Sequence, residues 1–275
     1  MSTFFTVDTG DTAGKTAIPV YVCRPDGWDA LKDGLSGASA NFAQARGFKG
    51  EAGQRVQLPG ADGEIEKVLF GAGARGADHA GPIAAGSLSG ALPPGTYSFA
   101  RLPGDWSPDL AAIGWGLGAY KFDKYLKDKK TFPVLALTGD QDIGELTSLV
   151  ESVHLGRDLI NTPAGDMGPD ALEEAARGVA AKYVCEVRVT KGQALLDNNY
   201  PMIHAVGRAA HEEPRLVELE WGNPDHPRLA LVGKGITFDT GGLNIKSAAG
   251  ARIMKKDMGG SAHALALADM IMANN

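Results

Sequence analysis

The sequence predicts an α/β protein of two domains, and three observations carry that prediction. Short apolar runs that read as strands alternate with segments whose apolar residues recur at three- and four-residue spacing. The chain has 275 residues, more than one average core needs. Its texture also changes near residue 140, where strand-like runs give way to a long amphipathic stretch. The expected domains are 1–139 and 140–275, with that stretch as the connector.

In order along the chain, AIPVYVC (17–23) and IEKVLF (65–70) read as strands, with a small, polar, glycine-bearing loop or poor helix at 36–49. Residues 109–127 carry apolar side chains at helical spacing, with Asp109 in the first turn and lysine in the last, a placement that suits the helix dipole. PVLALT (133–138) is a further strand. The stretch from 139 to 161 then predicts a long amphipathic helix, ended by Pro163, Gly165, Gly168 and Pro169. A second helix is expected over 170–182. CEVRVT (185–190), IHAVG (203–207), RLVELEW (215–221) and RLALVGK (228–234) read as strands.

Hydrophobic content is 44% and charged content 22%, ordinary for a folded domain and against disorder. A net charge of -6 speaks against a general nucleic-acid binder. Cys23 and Cys185 are the only cysteines and lie far apart, which excludes a disulfide framework; both are expected as buried thiols. The opening MSTFFTVDTGDTAGK lacks a basic region followed by an apolar run, and no stretch has the roughly 18 apolar residues of a membrane span. A cytoplasmic protein is expected.

GAGARG (71–76) follows a strand and matches the dinucleotide fingerprint. That fingerprint needs a helix opening at once and an acidic residue on a strand about 20 residues later. Pro82 and Pro93–Pro94 stand where those should be, so a glycine-rich turn is the preferred reading. GKG at 233–235 lacks the spacing of a phosphate loop. His263 reads as an ordinary helix residue.

The stretch that asks for chemistry is LVGKGITFDTGGLNIKSAAGARIMKKDMGG (231–260). It places Lys234, Asp239, Lys246 and Asp257 close together in a segment too apolar for an ordinary surface loop. A lysine at the end of a buried strand is costly unless paired or neutral, and a neutral amine can ligate. Two carboxylates and one nitrogen suit Zn²⁺, Mn²⁺ or Mg²⁺. Lys246, on a loop of small residues, could stay charged and stabilise an oxyanion. Surface charges on loops are the plain alternative.

The order and gaps, five residues from Lys234 to Asp239, seven to Lys246 and eleven to Asp257, closely resemble the signature of the leucyl (cytosol) aminopeptidases, the M17 dinuclear metallopeptidases. RDLINTPAGDMGP (157–169), GWGLGAYKFDKY (114–125) and YPMIHAVGRAA (200–210) are similar to that family too. The resemblance implies a smaller N-terminal macrodomain-like α/β module followed by the first part of a catalytic domain with a central mixed sheet flanked by helices. It implies that Lys234 and Asp257 ligate one metal, that Asp239 bridges two, that Lys246 polarises the scissile carbonyl and that Met254 lines the pocket for the substrate's N-terminal side chain. It further implies two divalent ions (Mn²⁺ or Zn²⁺), peptide substrates with a free N-terminus, a leucine-type preference, a homohexamer and a bicarbonate base.

One departure stands out. The family pattern continues with a second acidic segment, N-T-D-A-E-G-R, which supplies two more carboxylate ligands and an arginine. This sequence reaches MIMANN without it. A chain truncated before that segment, weak or inactive alone, is therefore expected. A non-catalytic interaction module of the same family and a dinucleotide-binding protein built on GAGARG are the rival readings.

Overall fold

The computed structural model describes residues 4–7 and 17–274. Most of the N-terminal stretch read as lacking a secretory signal lies outside them. Two compact units are present, Met1–Val150 and Glu151–Asn275.

The first unit is built on β1 (Phe5–Val7), β2 (Ile18–Cys23), α1 (Trp28–Asp33), α2 (Gly37–Ala45), β3 (Arg55–Pro59), β4 (Ile65–Gly71), α3 (Gly86–Ser89), β5 (Thr96–Arg101), α4 (Pro108–Gly118), β6 (Val134–Leu137) and the start of α5 (Ile143–Asn161). The strands form one sheet in the order β1-β6-β5-β2-β4-β3, parallel except where β3 runs against β4. Strand periodicity explains its two-sided burial. Val20, Val22, Val68 and Phe70 join one core with Leu88, Trp115 and Val150, whereas Cys23 and Leu69 join another with Trp28, Leu31 and Phe48. Helices on both faces make buried parallel strands read as continuous apolar runs. The stretch read as a loop or poor helix contains α2, whose Ser36 caps the helix by accepting from the Ser39 amide.

The helix expected over 109–127 stops at Gly118. Beyond it Tyr125 and Leu126 are exposed, so a longer helix would have no core to cover. Within α4, Trp115 is fully buried. Its indole donates to the Pro133 carbonyl at 3.2 Å, and its ring packs on Tyr97 and Phe99.

GAGARG is a turn in the service of packing. No helix opens after Gly76; the chain loops to a 3-10 turn at Pro82. A Cβ on Gly71 would lie 2.0 Å from the Glu51 carbonyl oxygen, and one on Gly73 would lie 2.8 Å from Ala52 Cβ. The glycines therefore face the protein's own backbone rather than a pyrophosphate. Buried Arg24 seals the loop by donating to the Gly73 and Ala80 carbonyls and to both oxygens of Asp105. The hydrogen bond from Arg24 holds the Asp105 carboxyl below its usual range. A carboxyl depressed on folding stabilises fully above its ordinary pKa and loses that contribution as pH falls through the lower folded value. The stability advantage of wild type over Asp105→Asn should thus shrink steadily on acidification, as read by urea midpoints across the acid range. An advantage independent of pH would remove the ion pair from the account.

The second unit holds the rest of α5, α6 (Pro169–Ala180), β7 (Glu186–Lys191), α7 (Gln193–Asp197), α8 (Pro201–Gly207), β8 (Arg215–Glu220), α9 (Ala248–Arg252) and α10 (Gly259–Ala273). β7 and β8 form an antiparallel pair. Leu159, Met167, Met258 and Ala262 form its core, with Leu155, Ile160 and Leu172 packed around them. Asp269, buried in α10, accepts from Ser152 Oγ, Lys182 Nζ and Tyr183 Oη, so α5, the turn after α6 and α10 are tied by one carboxylate.

Three expectations change here. IHAVG is the helix α8, which Pro201 opens at its first turn. RLALVGK (228–234) belongs to no strand and is largely exposed. Cys185 is half-exposed, unlike the buried Cys23, because it lies at the edge of β7 beside exposed Val184. Among the described residues, no helix is long and apolar enough to cross a membrane.

Candidate active site

Residues 221–247 carry no helix or strand, yet their course is set by specific contacts. Gly241 and Gly242 take φ of 79° and 104°, a left-handed turn that other residues resist. The turn is closed by the Lys246 amide donating to the Thr240 carbonyl at 2.9 Å and by Thr240 Oγ1 donating to the Gly242 carbonyl at 2.8 Å. It folds TFDTGGLNIK back on itself and brings Lys246 onto Asp239. The two side chains form an ion pair, while the Gly241 amide donates to the other Asp239 oxygen at 2.7 Å. The bond from Lys246, then the Gly241 amide and the nearby charge of Lys234, lower the Asp239 pKa.

Lys234 pairs with Asp257, 23 positions away, rather than with Asp239. Its Nζ lies 2.5 Å from a carboxylate oxygen of Asp257 and 2.9 Å from the main-chain oxygen of the same residue. Asp257 sits on a 3-10 turn, Ile253–Met258, that runs straight into α10. Two close backbone approaches hold the turn against the lysine. The Ser261 amide donates to the Lys234 carbonyl at 2.9 Å. A Cβ on Gly233 would fall 2.5 Å from Ser261 Cα, and one on Gly260 would fall 2.9 Å from the Lys234 nitrogen. The glycines of GKG and DMGG are thus the two sides of one contact, a pairing that their separation along the chain conceals. Met254 stands half-buried on the same 3-10 turn, three positions before Asp257. His263 is exposed on α10.

The four charged residues named from the sequence are therefore brought into two lysine–aspartate pairs, linked by the proximity of Lys234 to Asp239. The setting differs from the expectation. Lys234 is half-exposed rather than at the end of a buried strand, and residues 228–235 and 241–245 lie mostly open to solvent, whereas Met258 beside Asp257 is buried.

The donor chemistry fits part of a divalent-ion site. An amine, a carboxylate and a main-chain oxygen converge at Lys234 and Asp257, with a second carboxylate on Asp239; such nitrogen and oxygen donors suit Zn²⁺ or Mn²⁺. Among the described residues, no three or more His, Cys, Asp and Glu gather to hold a metal. The set is thus a partial one.

Comparison with known proteins bears on both units. Residues 18–138 match the model for the M17 aminopeptidase N-terminal domain, and residues 154–275 match that for the cytosol aminopeptidase family catalytic domain. A probable cytosol aminopeptidase of Corynebacterium glutamicum is 35% identical over 234 residues, covering 81% of this chain and 47% of the relative. Peptidase B of Pectobacterium atrosepticum is 44% identical over 172 residues, covering 58% of this chain and 39% of the relative. In structure, the cytosol aminopeptidase of Coxiella burnetii superposes with a TM-score of 0.86 at 35% identity, over 98% of this chain and 57% of the other. The bottromycin maturation enzyme BotP in complex with Mn gives a TM-score of 0.75 at 29% identity, over 92% of this chain and 55% of the other. The chain spans about half the length of the relatives it matches. The N-terminal and catalytic matches come from one family, the fold agrees with its solved structures, and the chain belongs to the M17, or cytosol aminopeptidase, family.

Proposed function

We propose that this chain supplies Lys234, Asp239, Lys246 and Asp257 to a cytoplasmic, metal-dependent aminopeptidase that releases N-terminal amino acids, leucine among them, from peptides. The observation that carries this reading is the convergence of the two lysine–aspartate pairs inside the segment matched to the family catalytic domain.

Lys234 and Asp257 would hold one divalent ion, Mn²⁺ or Zn²⁺, and Asp239 would reach towards it and a second. When bound, such ions supply Lewis-acid activation of water and of the scissile carbonyl. The residues do the rest. Gly241 orients the Asp239 carboxylate through its amide. Lys246 holds an ammonium beside that carboxylate, where it can meet the negative charge that develops on the carbonyl oxygen. Met254, on the turn that carries Asp257, would border the substrate's first side chain. Carboxylates beyond those of this chain complete the ion shell, and a bicarbonate base and a homohexameric assembly belong to the same proposal.

The test uses a protein in which this chain is joined to the portion of a family catalytic domain that it does not span. It should hydrolyse leucyl amides and peptides with a free N-terminus and leave N-acetylated ones intact, while the 275-residue chain alone shows little or no hydrolysis. Equal rates on blocked and free peptides would sink the exopeptidase reading.

A further inference from the structure

Four consecutive residues between α8 and β8, EEPR (212–215), clasp three elements at once. Glu212 closes the N-terminus of α6. Its carboxylate accepts from the Asp170 amide at 2.7 Å, a bond that the N-cap residue Gly168 has no side chain to make. A Cβ on Gly168 would lie 2.5 Å from that carboxylate. Glu213 lies over Gly192, just past β7, where a Cβ would meet its Oε1 at 2.3 Å. Pro214 lies against Gly207 of α8, where a Cβ would meet its own Cβ at 2.4 Å. Arg215 anchors the run. Its side chain is only 5% exposed, and its Nη1 ion-pairs with Asp170 and lies 2.5 Å from Glu173, both in the first turn of α6. A buried guanidinium between two carboxylates keeps a definite place, because losing either side leaves an uncompensated charge.

Another face of the same turn meets the candidate site. Leu172 lies against Gly235, the residue after Lys234: a Cβ there would touch Leu172 Cδ2 at 3.5 Å and Ser261 Oγ at 3.7 Å. Leu172 also packs on the core that holds Met258, the residue after Asp257. A line of contacts thus runs from Arg215 through the first turn of α6 to both members of the Lys234–Asp257 pair. Lys234 stands half-exposed on a segment with no helix or strand to fix it, so its place depends on α10 and α6. We infer that Arg215, with Glu212, is a positioning residue for the Lys234–Asp257 donor pair: it sets the first turn of α6, and Leu172 on that turn sets the main chain that carries Lys234. The inference deepens the aminopeptidase reading and rests on it for the role of the pair.

The experiment begins with Arg215→Met and Glu212→Ala in the 275-residue chain. Ser261 is the third residue of α10, where an amide has no acceptor within the helix, so its protection from exchange comes from the Lys234 carbonyl. Exchange at Ser261 should quicken about 10-fold in Arg215→Met and less in Glu212→Ala, with the circular dichroism of the wild type. Should Arg215→Met fail to fold, Glu212→Ala carries the test. Tyr183→Phe, which removes the hydroxyl bonded to Asp269 beyond the other end of α6, is the control for general loosening. Compared in urea at equal overall stability, it should leave Ser261 near the wild-type rate. In the protein that also carries the rest of the catalytic domain, Arg215→Met should weaken Mn²⁺ binding about 10-fold, the low end for groups that orient metal ligands, and saturating Mn²⁺ should restore kcat on leucyl amide. The proposal is overturned if Ser261 exchanges at the wild-type rate in the folded variants, if Tyr183→Phe quickens it as much at equal stability, or if Mn²⁺ binds Arg215→Met as tightly as wild type. A wild-type protein with the whole catalytic domain that binds no Mn²⁺, while Ser261 responds as expected, would reject the aminopeptidase reading and leave the coupling of Arg215 to Lys234 in place.

Discussion

Trp115→Ala is expected to destabilise the first unit by about 3–5 kcal/mol, the cost of emptying a fully packed aromatic site. The ring is completely buried in the last turn of α4, against Tyr97 and Phe99 of β5 and in a core that includes Val20, Leu135 and Val150. Removing it also strands the Pro133 carbonyl, which receives the indole proton at the entrance to β6. The surrounding structure has little room to collapse into the void, because α4 lies against its neighbours through glycine backbone: a Cβ on Gly118 would meet the Gly86 carbonyl oxygen at 1.8 Å. Urea unfolding of the whole chain, followed by far-ultraviolet circular dichroism, reads the loss directly. A loss under about 1 kcal/mol would show that the site relaxes and that the helix is held elsewhere.

The second large effect separates the two lysines of the candidate site. In a protein with a complete catalytic domain, Lys246→Ala should leave metal content nearly unchanged and lower kcat by about 10²–10³-fold, the usual cost of one oxyanion donor. Lys234→Arg should instead lower metal affinity, since a guanidinium stays charged and offers no lone pair. The geometry supports the division. Lys246 leans on Asp239 from a glycine turn, whereas Lys234 sits between the carboxylate and main-chain oxygens of Asp257, where it shares that residue's donors. Metal content by emission spectroscopy beside steady-state kinetics decides it. A Lys246→Ala protein emptied of metal, with Lys234→Arg retaining metal and rate, would reverse the assignments.

Much of the site was legible because its information is local. TFDTGGLNIK closes on itself within eight positions, and its two glycines announce the turn that brings Lys246 to Asp239. The strands 18–23, 65–71 and 134–137 were legible for a similar reason, since side chains buried on both faces leave apolar runs, IPVYVC, the VLF that ends β4, and VLAL. β3 and β5 were harder to read: RVQLP and TYSFAR alternate or mix polar residues, and only their neighbours in the sheet make them strands. IHAVG shows the converse. Its composition suits a strand, but Pro201 sets the first helical turn.

By itself, then, the sequence determined the α/β class and the buried strands of the first sheet, which follow from residue type at short spacing, whereas the four charged residues of the candidate site were singled out by a resemblance in order and gaps. Only the tertiary structure decided which charges meet. Lys234 is five positions from Asp239 yet salt-bridges Asp257, because the Ser261 amide and the facing backbones of Gly233 and Gly260 press the start of α10 against it. It likewise decided that GAGARG packs against Glu51 and Ala52, and that LALV stands unpaired. Pairing across long separations depends on which surfaces the rest of the fold brings within a few ångströms, and no local pattern of residues carries that distance.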